Sequence, residues 1–263
     1  MTVTPNGILH VEHVWSMAIS LDIRGDTPPG TLSAVIDWLH EVDQLFSPYR
    51  QDSIISGFDR GEILDGDLPV VVAEVLKQCD WLRVQSRGVF DVRATGRLDP
   101  SGLVKGWAIE RAAWLLDELG VTDYCLNAGG DVRTKGGPSP GSRWRIGVRH
   151  PTDAQRLADV LEGNLLSVAT SGCYERGAHI IDPRSGLAVC GDVASVTVVG
   201  PDLGYADAFA TIAFILGTTE GLAFVAAQPG YGGYAISTGG VTTWTSQYGR
   251  YRAPGEDAPG SRG

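Results

Sequence analysis

Apolar positions recur at regular spacing along the first half of the chain, and their periods predict most of its secondary structure. From Thr31 to Phe46 they return every three or four residues, which is typical of an amphipathic helix. A second helix is predicted over residues 69–86, because Pro69 suits a first helical turn, and a third over 103–119. Apolar and polar alternation predicts strands over 13–24 and 88–93.

In the second half, short β-rich runs between residues 157 and 199 are separated by glycine turns, which predicts an antiparallel or mixed sheet. A helix opening on Asp207 and a second helix over 221–228 precede two final strands. Runs of strands with helices at intervals favour the α+β class. We therefore predict one compact α+β unit over residues 1–252, with mixed or antiparallel sheets packed by helices, and a disordered tail over 253–263.

Composition and charge narrow the classes of function. The 263 residues are 43% hydrophobic, and 31 acidic against 21 basic residues give a formal charge of −10, which argues against a surface for duplex nucleic acid. No apolar run approaches the ~20 residues of a membrane helix, so membrane insertion is not expected. The first 15 residues lack the basic and apolar regions of a secretion signal, which predicts a cytoplasmic location.

Two stretches carry candidate chemistry, DPSGLVKGWA at 99–108 and ADAFAT at 206–211. The first places Asp99 and Gly102 just before a predicted helix N-terminus, where backbone amides and the helix dipole favour anions, and Lys105 shortly after it. The second places Asp207 and Thr211 on one helix face, with the hard oxygen atoms that Mg²⁺ prefers. Spacing alone leaves open a helix-capping carboxylate, a threonine bonded to its own helix and an exposed helix lysine.

A histidine adds a third candidate. His179 stands in GAHIIDPRSG, ahead of Asp182 and Arg184, and suits a general base. A structural histidine in a strand is the alternative interpretation.

The order of these motifs along the chain resembles the ApbE family, the FAD:protein FMN transferases. The succession is GVFDVR, DPSGLVKGWAIERA, NAGGD, ATSGCYERGAHIIDPRSG and ADAFATIAFILG, and the resemblance runs from about Trp15 to Gly217. It implies a Mg²⁺-dependent enzyme that binds FAD, cleaves its pyrophosphate and transfers the FMN half to a threonine or serine hydroxyl of a target flavoprotein, with release of AMP.

The resemblance also implies roles for individual residues, matched motif by motif. Metal coordination falls to side chains of Asp207 and Thr211 and to backbone carbonyls of Gly102 and Ala210, and His179 is similar to the family histidine that helps deprotonate the acceptor hydroxyl. The implied FAD contacts are Tyr49, Val89, Phe90, Asp91, Asp99 and Lys105.

One segment departs from the family pattern. Where the family has Met-Gly-Thr, this chain has Trp15, Ser16 and Met17, so Trp15 is predicted to stack on the flavin ring instead. Two alternative functions stay open: an FAD pyrophosphatase with water as the nucleophile, and a non-catalytic flavin-binding module.

Overall fold

A nine-stranded sheet forms the centre of the fold, and every neighbouring pair of its strands is antiparallel. The computed structural model describes residues 2–4, 7–172, 180–189 and 191–255. The strands are β1 (Thr2–Thr4), β2 (Gly7–Val14), β3 (Met17–Arg24), β4 (Asp123–Ala128), β5 (Asp131–Lys135), β6 (Trp144–His150), β7 (Asp153–Gly163), β8 (Leu165–Gly172), β9 (Ile181–Asp182), β10 (Leu187–Ala188), β11 (Val193–Gly200), β12 (Gly232–Ser237) and β13 (Thr242–Trp244). The helices are α1 (Thr31–Phe46), α2 (Ile54–Asp59), α3 (Val70–Gln85), α4 (Ser101–Glu118), α5 (Leu203–Leu216), α6 (Thr218–Ala226) and α7 (Ser246–Gly249).

The order of strands brings distant parts of the chain side by side. The sheet runs β1-β2-β3-β4-β5-β8-β11-β12-β13, while β6–β7 and β9–β10 form separate two-stranded sheets. Strand β5 therefore pairs directly with β8, although the β6–β7 hairpin lies between them in the sequence. This arrangement confirms the predicted α+β class.

Helices α4 and α5 cover the middle of the sheet and supply much of its core. Helix α5 packs on β8 and β11, and α4 packs on α5, α1 and β4. Their backbones approach closely, because a Cβ added at Gly106 would lie 2.5 Å from the carbonyl oxygen of Leu203. At Gly204 an added Cβ would lie 3.1 Å from the backbone of Trp107. Only glycine permits such a contact between helix backbones.

A second hydrophobic cluster lies under the β6–β7 hairpin and includes the stacked rings of Tyr234 and Tyr248. The last described residues join it, since Ala253 is buried and its N–H donates to the Val160 carbonyl at 2.8 Å. Residues 256–263 lie outside the described residues, so a disordered tail stays a prediction. No described helix has the length and apolar character that crossing a membrane requires.

The structure differs from the predicted elements at three places. The predicted strand over 13–24 is interrupted by a turn at Trp15 and Ser16, which separates β2 from β3. The predicted strand over 88–93 is a series of turns. Helix α5 begins at Leu203 rather than at Asp207, because the Asp202 side chain accepts the N–H of Tyr205 and caps the helix four residues earlier than predicted.

Candidate active site

A cleft with a volume of about 1540 Å³ opens between the β2–β3 turn, the β4–β5 turn and the first turns of α4. It is larger than the ~300–1,000 Å³ of ordinary small-molecule pockets, so it has room for a dinucleotide. The predicted site residues that line it are Trp15, Tyr49, Val89, Phe90, Asp91, Asp99, Gly102, Lys105, Asp207 and Thr211.

Among the described residues, Ala210 is the one predicted site residue that does not line the cleft. Ala210 is buried inside α5, between the lining residues Asp207 and Thr211. His179 lies outside the described residues, and its predicted role is not addressed by the structure. The residue that follows it, Ile180, does line the cleft.

A lysine between two carboxylates forms the innermost wall. The Nζ of Lys105 lies 2.5 Å from Oδ2 of Asp131 and 3.5 Å from Oδ1 of Asp207. Both acids are buried, with exposed fractions of 1% for Asp131 and 4% for Asp207, while the lysine reaches the cleft. With all three groups ionised and no ligand bound, this trio would carry one negative charge in excess, which is unfavourable in a buried setting.

Hydroxyl groups continue this wall towards β8. Thr211, one helical turn after Asp207, lies within hydrogen-bond distance of Ser171, with their oxygens 3.1 Å apart. The backbone N–H of Thr170 donates to Oδ1 of Asp131 at 3.2 Å. The ends of β5 and β8 and the second turn of α5 thus place their oxygen atoms together.

The Asp207 carboxylate has the properties of a cation ligand. Its Oδ2 is buried and accepts no hydrogen bond from the described residues, although the Gly106 N–H donates to the carboxylate. Burial raises the pKa of Asp207 to about 8; the Lys105 ammonium opposes this rise and the Asp131 carboxylate adds to it. A cation at Oδ2 would favour the ionised form.

The donors here fit magnesium rather than a softer metal. Nowhere in the described part of the chain do three His, Cys, Asp or Glu side chains converge on one point. The groups that Asp207 and Thr211 present are a carboxylate oxygen and a hydroxyl, which are hard oxygen ligands. The set that the family resemblance implies is therefore chemically consistent with Mg²⁺.

The start of α4 lines the cleft with Ser101 and Gly102. Oδ1 of Asp99 accepts the Ser101 N–H at 3.0 Å and so fixes the helix start. Gly102 allows the ring of Phe90 to lie against that turn, because an added Cβ would be 3.2 Å from the ring. The α4 N-terminus therefore points its positive dipole end towards the cleft.

Acidic side chains hold the turns that replace the predicted strand. Asp59, at the end of α2, accepts the Leu98 N–H at 3.1 Å and pairs with Arg93 at 2.7 Å. These two bonds lower the pKa of the Asp59 carboxyl below its usual range. In the same segment Oδ1 of Asp91 accepts the Arg93 N–H at 2.8 Å. Asp59 therefore holds the segment that directly follows Asp91 at two points, Arg93 and Leu98.

Aromatic side chains stand at the outer end of the cleft. Tyr49 is 78% exposed, and the guanidinium of Arg97 lies 4.8 Å from its ring centroid. Trp15 lies at the tip of the β2–β3 hairpin, next to Met17, which contacts the β4–β5 turn at Gly129. These rings offer stacking surfaces for planar groups.

Asp131 belongs to this site although no role was predicted for it. It is the last residue of the NAGGD motif and follows the Gly129-Gly130 turn, at the first position of β5. A carboxylate directly after a Gly-Gly hairpin turn was the available signal. Its partner Lys105 is 26 positions away in the sequence, and only the packing of α4 on β5 brings them together.

Comparison with known proteins agrees with this geometry. The model of the ApbE family matches residues 92–234, which is more than half of the chain. The chain belongs to the ApbE family. The matched range contains Asp99, Lys105, Asp131, Asp207 and Thr211.

Several curated relatives are named FAD:protein FMN transferase. FAD:protein FMN transferases are 34% identical over 140 residues in Vibrio cholerae and 30% identical over 200 residues in Treponema pallidum. These alignments cover 50% and 66% of this chain, but 42% and 54% of the relatives. The chain thus spans about half the length of the curated relatives it matches.

Solved structures share the fold over most of the chain. The flavin transferase ApbE from Vibrio cholerae superposes with a TM-score of 0.81 and 22% identity, covering 93% of this chain and 98% of that one. The ApbE protein from Thermotoga maritima gives a TM-score of 0.81 at 19% identity, with coverage of 94% and 99%. The shared fold therefore extends well beyond the residues that the family model matches.

Proposed function

We propose that this protein transfers the FMN moiety of FAD to a threonine or serine hydroxyl of a target flavoprotein, in a Mg²⁺-dependent reaction that releases AMP. The observation that supports it most is the convergence of Lys105, Asp207, Thr211 and the α4 N-terminus on one wall of a cleft large enough for FAD. Membership of the ApbE family supplies the reaction class. Relatives named FAD:protein FMN transferase support the choice of FAD and of a protein acceptor.

The proposed reaction is a phosphoryl transfer. The acceptor hydroxyl oxygen attacks the FMN phosphorus of the pyrophosphate and forms a phosphoester bond. The bond from that phosphorus to the bridging oxygen breaks, the bridging oxygen leaves with AMP, and the hydroxyl proton is released. Charge accumulates on the phosphoryl oxygens and on the leaving group, so neutralisation and positioning dominate the catalysis.

The chain's own residues meet these requirements. Lys105 brings a positive charge into the cleft, held there by Asp131, and the α4 amides favour the second phosphate. Mg²⁺, held by the Asp207 carboxylate, the Thr211 hydroxyl and carbonyls such as those of Gly102 and Ala210, would neutralise the pyrophosphate charge.

The ends of FAD are assigned to the two aromatic positions. Trp15 is proposed to stack on the isoalloxazine ring, and the exposed Tyr49 contacts the nucleotide with Val89, Phe90 and Asp91 nearby. His179 is proposed as the residue that accepts the hydroxyl proton, worth typically ~10² to 10⁴ in rate.

Intact-mass measurement tests the proposal directly. Candidate flavoproteins with an accessible threonine or serine are incubated with this protein, FAD and Mg²⁺. We expect a mass gain of one FMN less water on the acceptor, released AMP in equal amount, and no gain when the acceptor hydroxyl is replaced by alanine.

The same assay separates the alternatives. FMN and AMP formed at a rate that acceptor does not change would indicate a pyrophosphatase. FAD that binds and stays intact with Mg²⁺ and acceptor would indicate a binding module. Either outcome contradicts the transferase.

A further inference from the structure

A buried glutamate lies behind the cleft wall and is not part of the proposed chemistry. Glu110, on α4, is 4% exposed, and both of its carboxylate oxygens are engaged. Oε1 pairs with Nε of Arg133 on β5 at 3.0 Å. Oε2 accepts the N–H of Leu203, the first residue of α5, at 2.9 Å. One side chain therefore connects α4 with the strand and the helix that carry the site's two acids.

The contacts of α4 on β5 form two ion pairs of opposite polarity. Lys105 meets Asp131, and Glu110 meets Arg133. Five helical residues rise about 7.5 Å and two strand residues about 6.8 Å, so the two pairs match in spacing. A shift of α4 that moved Lys105 to Arg133 would bring like charges together and leave both acids unpaired. The Glu110–Arg133 pair thus favours one register of α4 on the sheet.

Lys105 and Glu110 also provide two contacts between α4 and α5. Glu110 accepts the Leu203 N–H at 2.9 Å, and one helical turn further along α5 the Asp207 carboxylate meets the Lys105 ammonium at 3.5 Å. Along α4 the contact residues run from Lys105 to Glu110, and their partners on α5 run backwards from Asp207 to Leu203, because the two helices are antiparallel. The glycine contacts at Gly106 and Gly204 lie between these two points. Glu110 therefore fixes the distance of α5 from α4 at its N-terminus.

We infer that Glu110 and Arg133 are a positioning pair that holds Lys105 against Asp131 and Asp207. The effect of the Lys105 position on FMN transfer rests on the proposed function, whereas the position of the lysine itself does not. Removing the Glu110 charge leaves the buried Arg133 guanidinium without its ion-pair partner and weakens the bond that ties α4 to the N–H of Leu203. With both ties weakened, α4 is free to shift on β5 and α5, and Lys105 loses its fixed place against Asp131 and Asp207.

Lysine labelling measures this placement without any turnover. Lys77, Lys105 and Lys135 are the only lysines of the chain, and Lys77 lies on α3, away from the cleft. A limiting amount of acetic anhydride labels each according to its accessibility and free-amine fraction, and peptide mass spectrometry gives the Lys105 to Lys77 ratio. For Glu110→Gln we expect this ratio to rise about threefold to tenfold, as for coupled residues of one network.

A matched control separates positioning from general loosening. Asp159 is likewise buried and paired, with its Oδ2 2.8 Å from Nε of Arg252, but it lies beside the second cluster, away from the cleft. Asp159→Asn should lower the melting temperature and leave the labelling ratio unchanged. An equal rise in both variants would overturn the inference, as would no rise in folded Glu110→Gln.

Glu110→Asp keeps the test decisive if Glu110→Gln fails to fold. Aspartate retains the charge but is one methylene shorter, so it cannot reach both Arg133 and the Leu203 amide, and an intermediate ratio is expected. An unchanged ratio in this variant would also overturn the inference. In the transfer assay kcat of either variant should fall about tenfold or more. A raised ratio together with a wild-type protein that transfers no FMN would leave the positioning pair intact and refute only the proposed function.

Discussion

The β2–β3 turn is predicted to become more stable when Ser16 is replaced by glycine. Trp15 and Ser16 form a two-residue hairpin turn with φ of 56° and 58°, both in the left-handed region. Such turns favour Asn-Gly or Gly-Gly because side chains with a Cβ are strained there. Ser16 is exposed, and no hydrogen bond of its side chain is seen among the described residues, so the change removes little besides the strain.

The gain follows from two opposing terms. A left-handed conformation costs a residue with a Cβ about 1–2 kcal/mol, which glycine recovers. Glycine also has about 0.5–1 kcal/mol more entropy to lose on folding. The net gain is about 0.5–1 kcal/mol, which for a chain of this length corresponds to a rise in melting temperature of about 1–4 °C.

Ser16→Ala is the matched control, because alanine removes the hydroxyl and keeps the strain. In thermal and urea unfolding we expect the Ser16→Gly variant to be more stable than the Ser16→Ala variant by about 0.5–1 kcal/mol. An alanine variant as stable as the glycine variant would refute the left-handed turn. Equal slopes of the urea curves would show that the unfolded states are comparable.

Three further substitutions test the site. Asp207→Asn should lower Mg²⁺-dependent AMP release at least about 100-fold without loss of thermal stability, since asparagine keeps the volume of a carboxyl whose ionised form burial already disfavours; unchanged release would place the metal elsewhere. Trp15→Leu should weaken FAD binding about tenfold by flavin fluorescence and leave AMP binding unchanged; a loss of AMP affinity would contradict the flavin assignment. Asp59→Asn should cost about 1–2 kcal/mol in urea unfolding at neutral pH, because the ionised acid accepts the bonds from Leu98 and Arg93 more strongly than an amide oxygen does. Its folded pKa is lowered, so this difference should vanish as pH falls through the ordinary carboxyl range and below it, and a constant difference would contradict the argument.

Local periodicity was sufficient for the helices that form one side of the core. Helix α1 has the predicted bounds, and α3 and α4 differ from prediction by one or two residues at their ends. In α1 the buried residues recur at the spacing that the apolar pattern showed, from Val35 through Leu39 to Val42. Such helices are specified by one-sided burial, which is a property of a short segment.

The hairpin at Trp15 was beyond prediction because its residues carry no turn signal. Neither tryptophan nor serine favours positive φ, and apolar alternation continues on both sides of the turn. Val14, the last residue of β2, pairs with Met17, the first residue of β3, so only two residues separate the strands. In the sequence the two strands are therefore hard to distinguish from one longer strand. Only the register of β2 on β3 distinguishes a hairpin from a longer strand.

The chemistry of the site was recognisable from motifs, but its electrostatics was not. The motif DPSGLVKGWA suggested an anion-binding turn formed by glycine and lysine, whereas Gly106 lies inside α4 and serves the contact with α5. That contact brings Asp207 to Lys105, and β5 brings Asp131 to the other side of the same ammonium. In the chain, 26 positions separate Lys105 from Asp131 and 76 separate Asp131 from Asp207. The electrostatic interaction among the three therefore depends on packing alone.

The same packing explains why a lysine with two acids suits a pyrophosphate and a cation together. With both acids ionised, the trio alone would have an excess negative charge, and because burial disfavours that state the pKa of Asp207 is raised. A divalent cation would convert that excess to a net positive charge, and a pyrophosphate would in turn compensate it. Binding of either ligand should therefore strengthen binding of the other, so the affinity for FAD should depend on Mg²⁺ through Asp207. The Glu110–Arg133 pair takes part in this coupling only by keeping Lys105 where both ligands meet it.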